Sequence, residues 1–161
     1  MQRIAKFHKV SQPQFSAAMG NRSAACYDTL KLPRRATVGS AGYDFFAPFD
    51  FTLAPGEEIT IPTGIRAEIE SGYVLLLYPR SGLGFKFRLT LNNTVGVIDS
   101  DYFFSDNEGH IMIRMTNCSP DKTVSVAAGQ GFAQGIFMPF GITVDDDADG
   151  LRNGGFGSTT K

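Results

Sequence analysis

Apolar residues in this chain come in short runs, each broken by a turn signal before it reaches the length of an ordinary helix. Tyr43 to Leu53 is a pair of runs interrupted at Pro48, and Glu57 to Ile61 and Ile65 to Glu70 alternate polar with apolar residues. Tyr73-Val74-Leu75-Leu76-Leu77-Tyr78 is continuously apolar, and Ile111 to Met115, Thr123 to Val126 and Phe132 to Phe137 follow. A period of two fits a half-buried strand, and a short unbroken apolar run fits a strand covered on both faces. Many short strands must bury their apolar faces against one another, so the expected fold is all-β, a jelly roll or β-sandwich. One short helix is expected near the start. Ser11 can cap it by accepting backbone N–H bonds, Pro13 suits its first turn, and Gly20 ends it after Met19.

The 161 residues suit one domain, and a chain of this size buries roughly 70% of its unfolded surface without a disulfide or metal. Its apolar mass is aromatic in an unusual way, with fourteen Phe, five Tyr and no Trp. The β-domain is expected over residues 1–143. Beyond it, Asp145-Asp146-Asp147-Ala148-Asp149-Gly150 reads as an acidic linker, and residues 144–161 as a flexible C-terminal arm too polar and Gly-rich to bury a core.

Fifteen basic and sixteen acidic residues give a net charge of −1, which argues against a broad grip on a nucleic-acid polymer and leaves room for a small anionic ligand. Cys26 and Cys118 are far apart in sequence and read as reduced thiols. The first residues carry no apolar leader, and no run approaches the roughly 20 residues of a membrane span. The expected location is the cytoplasm.

Four segments hold groups that can do chemistry. Pro79-Arg80-Ser81-Gly82-Leu83-Gly84, directly after the buried run, offers a guanidinium fork, a hydroxyl and backbone N–H groups, the parts of a phosphate cradle. It equally fits a tight surface turn. Gly96-Val97-Ile98-Asp99-Ser100-Asp101-Tyr102, preceded by Asn92-Asn93, carries two carboxylates able to orient a water and a ring able to pack on a sugar, or it is a plain turn between strands. Ala41-Gly42-Tyr43-Asp44 reads as a strand entry. Arg152-Asn153-Gly154-Gly155-Phe156-Gly157-Ser158-Thr159-Thr160 has the composition of a lid or of a loose terminus. His8 and His110 show no accompanying Cys, His or acid in the sequence, and Met112, Met115 and Met138 read as core residues.

In this order, these segments resemble the five motifs of the trimeric deoxyuridine triphosphatase (dUTPase) family: Ala41 to Asp44, Pro79 to Gly82, Gly96 to Tyr102, Gly129 to Phe137 with Ala133-Gln134, and Gly154 to Thr159. The resemblance implies a jelly-roll subunit, a homotrimer with shared active sites, and Mg²⁺-assisted hydrolysis of dUTP to dUMP and pyrophosphate. That reaction keeps uracil out of DNA and supplies dUMP for thymidylate synthesis. It further implies that Asp99 orients the attacking water and that Arg80, Ser81, Gly82 and Gln134 meet the phosphates. Asn93, Val97 and Ile98 would read uracil, Tyr102 would lie on the deoxyribose, and Met112 joins the substrate contacts. Asp44 would reach the metal through water. Phe156 would stack on the base, with Arg152, Gly157 and Ser158 on the phosphates.

Three departures from the family pattern stand out: the long segment Phe103 to His110, Gly131 where the commonest motif has Arg, and Arg152 one position closer to Gly154 than usual. A dCTP deaminase shares a phosphate-binding Arg-Ser segment, but the Asp99 to Tyr102 run and the Gly-Phe-Gly-Ser-Thr tail favour dUTPase. A non-catalytic nucleotide-binding β-domain would need no water-orienting acid.

Overall fold

The computed structural model describes residues 2–22 and 27–150. The described residues form twelve short strands, two helices and two 3-10 turns. Strand β1 (Ala5–Lys9) leads into helix α1 (Gln12–Met19), where Ser11 Oγ accepts the Gln14 N–H at 3.2 Å, the cap expected from sequence. The strands β2 (Arg34–Arg35), β3 (Tyr43–Phe46), β4 (Phe51–Leu53), β5 (Glu58–Pro62), β6 (Ile65–Ile69) and β7 (Tyr73–Pro79) follow. Helix α2 (Ser81–Phe87) then separates them from β8 (Leu89–Leu91), β9 (Gly96–Ile98), β10 (Met112–Asn117), β11 (Val124–Val126) and β12 (Gly131–Pro139). Among the described residues no helix is long and apolar enough to cross a membrane.

Every pairing among the described strands is antiparallel. The largest sheet has the order β2-β3-β12-β7-β9; a second runs β5-β10-β8, and β1-β6 and β11-β4 pair as ribbons. The inward residues alternate as the period-two reading requires. Along β10, Ile113, Met115 and Asn117 are buried while Arg114 is exposed.

The phenylalanines fill the space between the sheets. Phe45 and Phe132 are fully buried, and Phe7 packs its ring against Tyr43, Phe45 and Phe137 with centroids 5.3, 5.7 and 5.5 Å apart. Each buried ring contributes about 1.5–3 kcal/mol through area removed from water, and edge-to-face contacts add roughly 0.5–1.5 kcal/mol. The core therefore combines these packed phenylalanines with a larger set of buried Leu, Ile, Val, Met and Ala side chains.

One core reading is overturned. Met115 is fully buried and Met112 half-buried, but Met138 is 45% exposed, on the stretch of β12 beyond Gly135 that pairs with β7 and no longer with β3. Phe140 and Ile142 beyond it are exposed as well, and residues 144–150 carry no strand.

Candidate active site

Three strands of the large sheet bring one corner of the site together. Gln134 on β12 lies opposite Asp44 on β3 and opposite Tyr78 on β7, so a single row across the sheet carries a carboxylate, an amide and the end of the strand that delivers Arg80. Arg80 Nε sits 3.2 Å from Asp44 Oδ1, and both side chains are partly exposed. Gln134 Nε2 donates to the Pro79 carbonyl at 3.1 Å, which fixes the amide beside the guanidinium. Segments 90 residues apart in sequence, from Asp44 to Gln134, thus meet at one sheet end.

Pro79 to Gly84 does not form a simple turn. Arg80, extended at φ −68° and ψ 137°, precedes α2, and its carbonyl accepts the Leu83 and Gly84 N–H groups at 3.0 and 2.9 Å. Ser81 and Gly82 lie exposed in the first turn, where a helix has N–H groups with no partner inside it. Two glycines weaken so short a helix; Leu83 and Phe87 hold it by packing on the core.

Asp99 lies elsewhere. In the β7–β9 register Leu77 faces Gly96, Leu76 faces Val97 and Leu75 faces Ile98, so Asp99 comes one step further toward Val74. From Val74 to Arg80 is six residues of extended chain, about 20 Å at ~3.3 Å per residue. The Asp99 carboxylate and the Arg80 guanidinium therefore sit at opposite ends of β7 within one chain. Asn93 is exposed in the turn before β9, its carbonyl accepting from Val95 N–H at 2.7 Å and from Thr94 Oγ1 at 2.6 Å. Val97 is 56% exposed and Ile98 half-buried.

Tyr102 belongs to the 3-10 turn Ser100–Phe104 and is only 6% exposed. Its hydroxyl donates to the His110 carbonyl at 2.8 Å and accepts from Asn107 Nδ2 at 2.9 Å. The long segment Phe103 to His110 is thereby a clasp around this tyrosine. It is tied at its far end as well: Glu108 accepts from Ser11 N–H and Oγ at 2.7 and 2.6 Å, and these bonds hold its carboxyl below the usual carboxylate range. Arg66 lies 3.6 Å over the Phe103 ring and donates to the Phe103 carbonyl at 2.6 Å. Sequence reasoning missed Asn107, Glu108 and Ser11 as a unit; the turn-forming Asn107-Glu108-Gly109 was the one available signal.

His110 is fully buried, and its Nε2 accepts the Gly64 N–H at 2.9 Å. The ring proton is therefore on Nδ1, which has no hydrogen-bond partner among the described residues. Burial pushes the imidazole down to about 4, against a smaller opposite pull from Glu108. This histidine is structural. His8, contrary to the sequence reading, does have an acid beside it, Glu68 at 2.9 Å.

Among the described residues no group of three or more His, Cys, Asp or Glu side chains stands ready for a metal. Asp44 is the carboxylate at the Arg80 corner. The expected contacts Arg152, Phe156, Gly157 and Ser158 lie outside the described residues.

A β-sandwich with a cationic corner at one strand end and a separate Asp-Ser-Asp-Tyr turn at the other has clear relatives. The sequence model of the dUTPase family matches residues 28–160. A deoxyuridine 5′-triphosphate nucleotidohydrolase of Lactococcus lactis subsp. lactis is 44% identical over 133 residues, covering 81% of this chain and 88% of its own. One from Tolumonas auensis is 42% identical over 136 residues, covering 80% and 86%. The crystal structure of dUTPase from Streptococcus mutans matches with a TM-score of 0.68 at 36% identity, over 85% of this chain and 97% of that one. The chain belongs to the dUTPase family.

Proposed function

We propose that this protein hydrolyses dUTP to dUMP and pyrophosphate by cleaving the bond between the α- and β-phosphates, at sites assembled between copies of the chain in a homotrimer. The observation that carries the shared site is the span of about 20 Å along β7 between Asp99 and the Arg80 corner. A triphosphate nucleotide held by both needs the Asp99 of one copy beside the Arg80 of another. Large apolar side chains near the Asp99 turn support such contacts, since Val97 and Phe104 are 56% and 80% exposed in the single chain.

In this reading Arg80, held by Asp44, takes the phosphate chain together with Ser81, Gly82 and Gln134. Asp99 orients a water for in-line attack on the α-phosphorus and accepts its proton; orientation of this kind supplies several kcal/mol, up to about 7–11 in ideal cases. Asn93 and the backbone of Val97 and Ile98 pair with the uracil edge, with Met112 nearby, and reject cytosine by mismatched donors and acceptors. Tyr102, clamped at its hydroxyl by His110 and Asn107, forms an immobile wall against a ribose 2′-hydroxyl. The arm, residues 144–161, closes over the site with Phe156 on the base and Arg152, Gly157 and Ser158 on the phosphates.

The donor set fits magnesium held mainly by substrate. The Asp44 carboxylate would help hold such an ion, which keeps much of its water shell and needs few protein ligands. Bound there, the ion would neutralise charge on the triphosphate.

The test is pyrophosphate release from dUTP with Mg²⁺, beside dCTP, dTTP and UTP. Release from dUTP alone, lost in Asp99→Asn while α,β-imido-dUTP still binds, is the expected result. Ammonia from dCTP, or binding without turnover, would replace this reading with a deaminase or a binding module.

A further inference from the structure

Gly131 opens β12, the strand that carries Gln134, and its backbone does not call for glycine. Among the described residues, the glycines whose φ lies in the left-handed region are Gly20, Gly56, Gly64, Gly72, Gly109 and Gly129; Gly131 is not among them. Gly131 adjoins the register irregularity between it and Ala133, and besides that irregular backbone its surroundings bear on the position. The surroundings are Arg80. A Cβ at position 131 would stand 2.9 Å from Arg80 Nη1, 3.2 Å from its Cδ and 3.4 Å from its Cζ. All three of the nearest atoms belong to that one side chain, so in this chain an added methyl is accommodated only if the guanidinium end of Arg80 moves.

The other side of the guanidinium is held by Asp44, whose Oδ1 is 3.2 Å from Nε. The guanidinium thus rests between the Asp44 carboxylate at Nε and the side-chain-free backbone of Gly131 near Nη1. The neighbouring amide is seated in the same manner: Gly42, also outside the left-handed region, would with a Cβ come within 2.8 Å of Gln134 Oε1.

We infer that Gly131 is a positioning residue for Arg80: its missing side chain is the seat that aims the guanidinium at the triphosphate. The inference rests on the reading of Arg80 as a phosphate contact. Guanidinium pairs with phosphate through a rigid planar fork, so displacement by a methyl group forfeits both distance and angle.

A double-mutant cycle tests it, with the affinity for α,β-imido-dUTP and the melting temperature measured in the full-length chain, Gly131→Ala, Arg80→Ala and the double variant. Loss of a charge-assisted bond predicts that Gly131→Ala raises Kd about tenfold when Arg80 is present. With Arg80 removed, the added methyl has nothing to displace, and the change is expected to stay under about twofold. An equal loss in both backgrounds, or none while Arg80→Ala weakens binding, overturns the role of Gly131 and leaves Arg80 as a phosphate contact. No change in Kd on Arg80→Ala overturns the phosphate reading itself. If Gly131→Ala fails to fold, the double variant decides: recovery of a folded protein identifies Arg80 as the group the methyl strikes, and failure of both refutes it.

Discussion

The Arg80 guanidinium and the Asp44 carboxylate meet at 3.2 Å across two strands that are not neighbours, with β12 and its Gln134 between them. Both side chains are partly exposed, so water screens the pair and its contribution to stability is about 0–1 kcal/mol. Its value is in holding the arginine still. Asp44→Asn should therefore leave the melting temperature within about 4 °C of the parent. The same change should lower kcat/KM for dUTP about ten- to a hundredfold, the scale of one charge-assisted hydrogen bond. Thermal melts and steady-state kinetics on the same preparation check both halves, and a large drop in stability with normal kinetics would make the pair structural.

His110 predicts an acid-labile fold. An ordinary histidine near 6.5 is pushed to about 4 by burial, so the folded chain binds fewer protons than the unfolded chain between those values. Stability is then full above pH ~6.5 and declines as the pH falls toward 4, by about 3 kcal/mol at 1.36 kcal/mol per unit. Glu108, also held low, adds acid sensitivity below its ordinary 4.5. Replacing the imidazole by an amide that still accepts from Gly64 separates the two groups. Urea unfolding of His110→Gln should show no slope between pH 6.5 and 5, and an unchanged slope would assign the effect to other groups.

The strands were legible because alternation is local. β5, β6, β7, β10 and β12 lie within a residue or two of the runs read from sequence. β1 was missed because Ala5-Lys6-Phe7-His8-Lys9 has a single large apolar residue, and its pairing to β6 comes from tertiary context. α2 was missed because Gly82 and Gly84 argue against helix, and only packing of Leu83 and Phe87 overrides them. For the candidate site, the sequence offered residue types. What the sequence could not show was distance: that Gly131 lies beside Arg80, that His110 closes on Tyr102, and that Asp99 comes at the other end of β7 from the Arg80 corner.

Deleting Gly154 to Lys161 should remove efficient hydrolysis while the fold survives, since the last described strand ends at Pro139. The deletion takes away the ring proposed for uracil and the donors proposed for the phosphates, and lets water into the site. Phe156→Ala should cost less, roughly 1–3 kcal/mol for lost stacking. Kinetics on both variants, with circular dichroism as the folding control, measure this; unchanged kcat/KM in the truncated chain would make the arm a passive terminus.

If dUTP is hydrolysed at a site that takes Asp99 from one copy and Arg80 from another, two variants that are each inactive complement one another. Mixing two inactive variants tests it most directly. Asp99→Asn and Arg80→Ala are unfolded together, refolded at equal amounts, and assayed for pyrophosphate release from dUTP. Random assortment around a closed ring should restore about a quarter of the parental sites, because each needs an intact Asp99 and an intact Arg80 from different subunits. Activity that stays at the level of the separate variants, in a mixture shown to have exchanged subunits, would place both residues in a site built by one chain and contradict the account.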